Sequence, residues 1–304
     1  MNYKNLRHEF RLAYLSFAKY RRGFLYLYMR FIVGPGIIRH PRPLSRPATV
    51  DDASAHFLTG ARDFTMALWA LASFYRYSTF IPKFYFHTDG TLTKKHRAIV
   101  ERLFPDAVFI DGATVGDIYA DELQKNPALN KFRKQFPGFQ SKKLVDTFLV
   151  APFAYRFVLD SDMLWFKDPL ELADAYRTKS SIMMDGGGGL CPQRFTDGTE
   201  TDEFISGLNS GIVGFSKEAF SMVHLDEYLG RIDLSYTQHF VEQAGFALCL
   251  RDVTPLPPSR YIIKGTLTPE VVMRHYTSPS RAKFFLHGLN FIWKDILRFT
   301  RPNF

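Results

Sequence analysis

Tyr155-Arg156-Phe157-Val158-Leu159-Asp160-Ser161-Asp162-Met163-Leu164-Trp165-Phe166 carries an apolar run directly into two carboxylates with one residue between them. The β-branched and aromatic residues before Asp160 predict a buried strand, so the acidic pair stands at its carboxyl end. Two acids this close repel each other unless a cation or hydrogen bonds offset the repulsion. A hard divalent ion, Mn²⁺ or Mg²⁺, suits oxygen ligands and leaves room for substrate phosphates. A helix cap or solvated turn would account for acid-x-acid alone; its place at the end of a buried strand favours a site.

Strand and helix alternate along the body of the chain. Predicted strands cover His56-Phe57-Leu58, Lys83 to Phe86, Val108 to Ile110, Phe157 to Leu159, Ile182 to Met184, Ile212 to Gly214 and Val271 to Met273. Helices are expected from about Trp69 to Tyr75, after Thr93 as a cap, and from about Ser141, with Gln124 to Gln140 a polar loop. This alternation predicts an α/β fold with a mostly parallel, Rossmann-like sheet flanked by helices. Ligands in such sheets bind beyond the carboxyl ends of the strands. Thr59, Gly60 and Arg62, after the first strand, are therefore candidates for ligand contact, as is Ser161 between the two acids.

Val158 to Leu170, with Asp160-Ser161-Asp162 followed by an apolar run and Pro169, resembles the DxD block of GT-A glycosyltransferases. The likeness is greatest to the glycogenin and lipopolysaccharide-galactosyltransferase group. Three further stretches match in the group's order. Asn209-Ser210-Gly211 resembles its turn at the donor sugar, Glu242-Gln243 its acid-Gln pair beside the anomeric carbon, and Arg274-His275 a strand ending in a metal-binding His. The resemblance implies a metal site of Asp160, Asp162 and His275 and a nucleotide-sugar donor, UDP-linked. It also implies Lys143 as a basic donor contact, Gln243 and Glu242 near the reacting carbon, and transfer with retention; Asp185, before a run of glycines, is a further candidate near that carbon. The metal would stabilise the departing diphosphate as a Lewis acid. The chain departs from the group in two places. Arg281 or Lys283 must stand in for its phosphate-binding Lys, and Gly60-Ala61-Arg62 replaces its acidic loop after the first strand.

Each residue also has a plainer reading. His275 could bond a carbonyl, Asn209-Ser210-Gly211 could be an ordinary turn, Lys143 could be a solvated charge with Lys142 in its place, and Gln243 could cap a backbone group. Asp185 precedes Gly186 to Gly189, a run that lets backbone approach a ligand, here an acceptor, or makes a loop. Its spacing is not that of a P-loop. A catalytically silent sugar-nucleotide-binding or membrane scaffold is the rival reading. A HAD-type phosphohydrolase fits less well, because Leu164 stands where that class wants Thr or Val and the acidic pair comes late in the chain.

With 46% hydrophobic and 23% charged residues, the 304-residue chain can bury a core. Its net charge of +9 is unevenly placed: residues 1–46 carry ten Lys and Arg against the single acid Glu9, while residues 47–280 are slightly acidic. A nucleic-acid enzyme would carry its basic face on the folded body, so nucleic acid is not an expected partner. Cys191 and Cys249 match no zinc or redox spacing, which fits the cytosol. Leu6, Phe10, Ala13, Phe17, Tyr20, Phe24, Leu27 and Phe31 form one apolar helical stripe with cations off it. Such a helix packs on its own domain or a partner, or lies on an anionic membrane surface. Phe285, Leu286, Phe291, Ile292, Trp293, Leu297 and Phe299, among Lys283, Lys294, Arg298 and Arg301, repeat the recipe. Expected divisions are a basic N-terminal helix and Pro-rich linker (1–46, with Pro35, Pro41 and Pro43 toward its end and Pro47 just beyond), a GT-A domain (47–283) and a basic aromatic helix (284–304). Neither end spans a bilayer. Arg21-Arg22-Gly23-Phe24-Leu25 resembles a twin-arginine signal, but Arg30 interrupts the apolar region and no cleavage site follows. A cytoplasmic protein, peripheral on the inner face of a membrane and acting on a glycan or lipid-linked acceptor, is the expectation.

Overall fold

The computed structural model describes residues 3–39, 42–44, 46, 48–136, 139–150, 153–235 and 240–300. Pro41, Pro47 and Arg301 lie outside them, as does the side chain of Leu6. Strands β1 (Ala53–Thr59), β2 (Lys83–Thr88), β3 (Val108–Ile110) and β4 (Tyr155–Asp160) lie close to where the apolar runs place them. They are followed by β5 (Met163–Trp165), β6 (Ile182–Asp185), β7 (Leu208–Ser216), β8 (Thr254–Pro255), β9 (Tyr261–Ile262) and β10 (Met273–His275). The larger sheet has the order β3-β2-β1-β4-β7-β6-β8. Its pairings are parallel except those of β7, which runs antiparallel to both β4 and β6.

That reversal positions the site. Because β7 is antiparallel, with Leu159 opposite Ile212, its beginning at Asn209 lies beside the end of β4 at Asp160. A smaller sheet, β5-β10-β9, does the same for the histidine. There β10 runs antiparallel to β5 with His275 opposite Met163, and the Tyr276 N–H donates to the Asp162 carbonyl at 2.7 Å.

The strands are apolar on both faces because both are covered. Phe157 and Leu159 face one core with Trp69, Phe86 and Phe285; Val158 faces a second with Leu144, Val213 and Phe246. The helix Lys94–Leu103 begins at Thr93, whose side chain and that of His96 complete a reciprocal cap.

Three local expectations are corrected. Within the expected loop Gln124 to Gln140, Pro127–Gln135 is a helix; Pro127 suits its first turn, and Leu129 and Phe132, three residues apart on one face, are buried. The stripe from Leu6 to Phe31 is not one helix. Tyr3–Ala18 ends, the chain turns with Arg21 at φ 52°, and Gly23–Leu27 continues into a wider-wound turn, Tyr28–Val33. The side chains that enter the core there are Tyr26, Met29, Val33 and Ile37, whereas Phe10, Phe17, Phe24 and Phe31 point outward. In the C-terminal region, Phe284, Phe285, Leu286, Leu289, Ile292 and Ile296 are buried in the main core, so the apolar face expected to meet lipid is packed against protein. No helix among the described residues is long and apolar enough to cross a membrane.

Candidate active site

At the carboxyl ends of β1, β2 and β4 lies a cleft of about 620 Å³, within the size range of small-ligand sites. Asp160 closes β4 at its floor; Ser161 and Asp162 follow in the tight connection to β5. One ligand atom from each of Asp160, Asp162 and His275 falls within 4.8 Å of the others. His275 Nε2 stands 3.0 Å from Asp162 Oδ1 and 3.4 Å from Asp160 Oδ2. The other ring nitrogen, Nδ1, is buried without a hydrogen-bond partner and packs against Gly211, where an added Cβ would lie 2.6 Å from it. That contact fixes the ring with Nε2 toward the carboxylates. The set of two carboxylates and one imidazole, convergent at a strand end, fits a divalent ion.

Two cations share the acids. Lys143, on the helical segment Lys142–Asp146, is 1% exposed and places Nζ 2.6 Å from Asp160 Oδ1 and 3.0 Å from Ser210 Oγ. Arg281 donates through Nε and Nη2 to Asp162 Oδ2 at 3.2 and 3.1 Å, and through Nη1 to Asp63 at 2.8 Å. It thereby ties the segment after β10 to the start of the helix Phe64–Tyr77. Burial alone would raise the Asp162 carboxyl, but His275 and Arg281 pull it well below the usual carboxylate range. For His275, burial opposes the charged form, and the attraction of Asp162 and Asp160 outweighs it, so its pKa is raised.

Opposite the acids, the helix Val241–Cys249 presents Glu242 and Gln243, both buried. Gln243 Oε1 accepts from Asn209 Nδ2 at 3.1 Å and from the Ser210 N–H at 3.4 Å. Asn209 Oδ1 in turn accepts from the Gly211 N–H, locking the turn. Ser210 Oγ donates to Glu242 Oε1 at 3.3 Å, while Oε2 is buried with no hydrogen-bond partner. Burial pushes the Glu242 carboxyl up, with Lys143 opposing.

The fold thus gathers Thr59, Gly60, Arg62, Asp160, Ser161 and Asp162 from one side of the sheet. From the other come Asn209, Ser210, Glu242, Gln243 and His275, with Lys143 and Gly211 directly behind them. Asp185 and Lys283 do not join them. Asp185 sits at the end of β6 and accepts from the Gly187 N–H at 2.7 Å, away from the cleft lining. The Lys283 ammonium lies over the Tyr20 ring, 5.6 Å from its centre. Of the two basic candidates after His275, Arg281 is the one that enters the cleft. Asp63 and Asp89, which follow the ends of predicted strands but are not among the expected site residues, also line the cleft. Asp89 lies so close over Gly60 that a Cβ there would come within 2.0 Å of its Oδ2. These two acids stand where the chain lacks an acidic loop. Cys191 is half-buried beside Gln243, and burial raises its pKa.

No family model matches the chain, and no curated protein does. Solved structures do. The galactosyltransferase LgtC, solved in complex with donor and acceptor sugar analogs, aligns at 12% identity and a TM-score of 0.53 over 82% of this chain and 96% of its own. The fold is that of the GT-A glycosyltransferases. The bifunctional glycosyltransferase WbbM in its apo form aligns at 12% identity and a TM-score of 0.50, with 77% of this chain covering 47% of that one. The chain therefore spans about half the length of WbbM. At these identities the GT-A likeness establishes architecture, and chemistry has to be argued from the cleft.

Proposed function

We propose that this protein is a metal-dependent glycosyltransferase that moves a sugar from a nucleotide-sugar, a UDP-sugar in our reading, to a glycan or lipid-linked acceptor with retention. The observation that carries the proposal is the convergence of Asp160, Asp162 and His275 in the cleft, facing Gln243 and Glu242. A bound divalent ion would supply Lewis-acid stabilisation of the departing diphosphate. The imidazole in the donor set favours Mn²⁺ over Mg²⁺. Arg281, already aimed at Asp162, is positioned to add positive charge beside a diphosphate. Asn209 and Ser210 orient Gln243, and the unpartnered Glu242 Oε2 would accept a hydrogen bond from a sugar hydroxyl. Thr59, Gly60, Arg62, Asp63 and Asp89 form the end of the cleft left for the nucleoside. The same reading puts the chain on the cytoplasmic side of a membrane, at its anionic surface.

A thermal-shift panel of UDP-, GDP- and dTDP-sugars with and without Mn²⁺ tests this directly, since a ligand that binds only the folded state raises Tm. A UDP-sugar shift that requires Mn²⁺, together with slow Mn²⁺-dependent hydrolysis of that sugar, is the expected result. Binding without any turnover would favour a silent sugar-nucleotide-binding protein, and no shift with any donor would remove the proposal.

A further inference from the structure

The exposed apolar side chains of the N-terminal region form one face. Phe10, Tyr14 and Phe17 follow helical spacing on Tyr3–Ala18, and Phe24, Tyr28 and Phe31 repeat it after the break. Their exposures run from 44% for Phe17 to 83% for Phe24. The Phe17 and Phe24 rings meet edge to face at 5.5 Å, which joins the two stripes at the elbow. Arg7, Arg11, Lys19, Arg21 and Arg22 are exposed around them. Glu9, the one acid between residues 3 and 39, is engaged by Arg30 at 2.8 Å. Past the elbow, Arg22 borders a shallow depression shared with His287 and Phe291, the latter 72% exposed.

This face adjoins the cleft. Tyr3–Ala18 packs on Arg281–Lys283, and His8, beside Phe10 and Arg11, feels the charges of the cleft residues Arg281, Arg62 and Asp63.

We propose that the helical elbow formed by residues 3–33 is the docking face for an anionic lipid surface, and that it sets the mouth of the cleft at the lipid plane, where a lipid-borne acceptor would enter. The second half of the proposal rests on the glycosyltransferase reading. Aromatic rings flanked by uncompensated cations suit the headgroup boundary, rings buried and charges among anionic headgroups. A symmetric contact between two copies would instead set the same cations against each other. Of the described large apolar groups of the C-terminal helix, Phe291 alone is exposed; Ile292, Ile296 and Leu297 are core, and Trp293 and Phe299 are partly buried against it.

Flotation of the full chain with phosphatidylcholine vesicles, with and without phosphatidylglycerol, tests the docking. The expected result is binding to the anionic vesicles alone, weakened by salt. The pairs Phe10→Ser/Phe24→Ser and Arg11→Glu/Lys19→Glu should each lower it by about tenfold or more. All four positions are exposed, so Tm and the hydrolysis of a UDP-sugar in solution should not change. A nitroxide attached at His8→Cys should report headgroup depth, whereas one at Lys131→Cys should report water. Equal binding to neutral and anionic vesicles, or no binding, overturns the proposal. So does a Phe variant that turns a dimer into a monomer with no vesicle bound to the parent. Docking without UDP-sugar hydrolysis would leave the lipid face standing and remove the transferase, and hydrolysis without docking would do the reverse.

Discussion

Lys143 holds the centre of the cleft together electrostatically. It is buried and faces Asp160 directly, with Glu242 close enough to feel its charge. Lys143→Met would leave those acids without their cation, and breaking a buried pair this way costs about 3–5 kcal/mol. Urea denaturation should show that loss, and saturating Mn²⁺ should restore part of it in the variant, because a divalent ion offsets the same charges. An equal Mn²⁺ effect on parent and variant would argue that the ion binds elsewhere. A second residue-scale expectation concerns His87, which is buried against His56 with Nε2 2.9 Å from His56 Nδ1. Burial, and then Lys142, push its pKa from 6.5 down to about 3. In the unfolded chain the imidazole takes its proton near 6.5, and in the folded chain only near 3. Between those values the unfolded state binds more protons, so stability falls as pH drops through the window, by about 1.4 kcal/mol per pH unit for this one group. Urea midpoints measured from pH 7 to 4 should show that slope added to the one from buried His56, whose pKa burial also lowers, and His87→Gln should remove about one group's share of it.

At the scale of elements, the site depends on β7 running against β4 and on β10 running against β5. Gly211 is where those two arrangements touch: a Cβ would lie 2.6 Å from His275 Nδ1 and 2.9 Å from Asn209 Oδ1. Gly211→Ala should therefore displace the imidazole and the turn that orients Gln243, weakening the Mn²⁺-dependent donor shift about tenfold or more while the protein stays folded. A Mn²⁺ titration monitored by Tm checks it. The break between the N-terminal helices turns on Arg21, which holds a left-handed conformation that costs a non-glycine residue about 1 kcal/mol. Arg21→Gly should be neutral or slightly stabilising there, whereas a residue favouring continuous helix should not straighten the elbow, because Tyr26, Met29 and Val33 anchor the second arm in the core. Strands such as β1, β4 and β6 were legible from the sequence because each is a short apolar run buried along nearly its whole length, whereas the two-residue β8 is exposed and left no such trace. The elbow was not: the spacing of Phe10, Phe17, Phe24 and Phe31 is compatible with one helix, and nothing local reveals that Tyr26 and Met29 carry the packing.

For the whole molecule, both ends of the chain belong to the main core. Trp69 Nε1 donates to the Gly34 carbonyl at 2.9 Å, and Phe285 meets Tyr26 edge to face, so the N-terminal arm, the body and the C-terminal helix brace one another. Leu289→Ala, at a fully buried position, should cost about 2–5 kcal/mol. Phe291→Ala, two residues on and exposed, should stay within about 0.5 kcal/mol. Similar losses at both positions would mean that the C-terminal helix does not pack as described. Two aromatic-rich segments of similar composition thus place their rings differently, the N-terminal arm holding Phe10, Phe24 and Phe31 outward and the C-terminal segment burying Phe284 and Phe285, a distinction that composition alone does not contain.

Alternation of apolar runs with helical patterns determined the α/β class, because strand burial and turn chemistry are local and leave a trace in neighbouring residues; Asp160, Asp162, His275, Asn209 and Gln243 stood out through the resemblance of their stretches, in order, to the GT-A pattern, and the fold brings them to one cleft. Which cation reaches Asp162, that Asp185 and Lys283 stand apart, and that Asp63 and Asp89 line the cleft were decided only by the tertiary structure. Those facts depend on strand order and direction, which bring together residues more than a hundred positions apart, and no short-range pattern encodes such a distance.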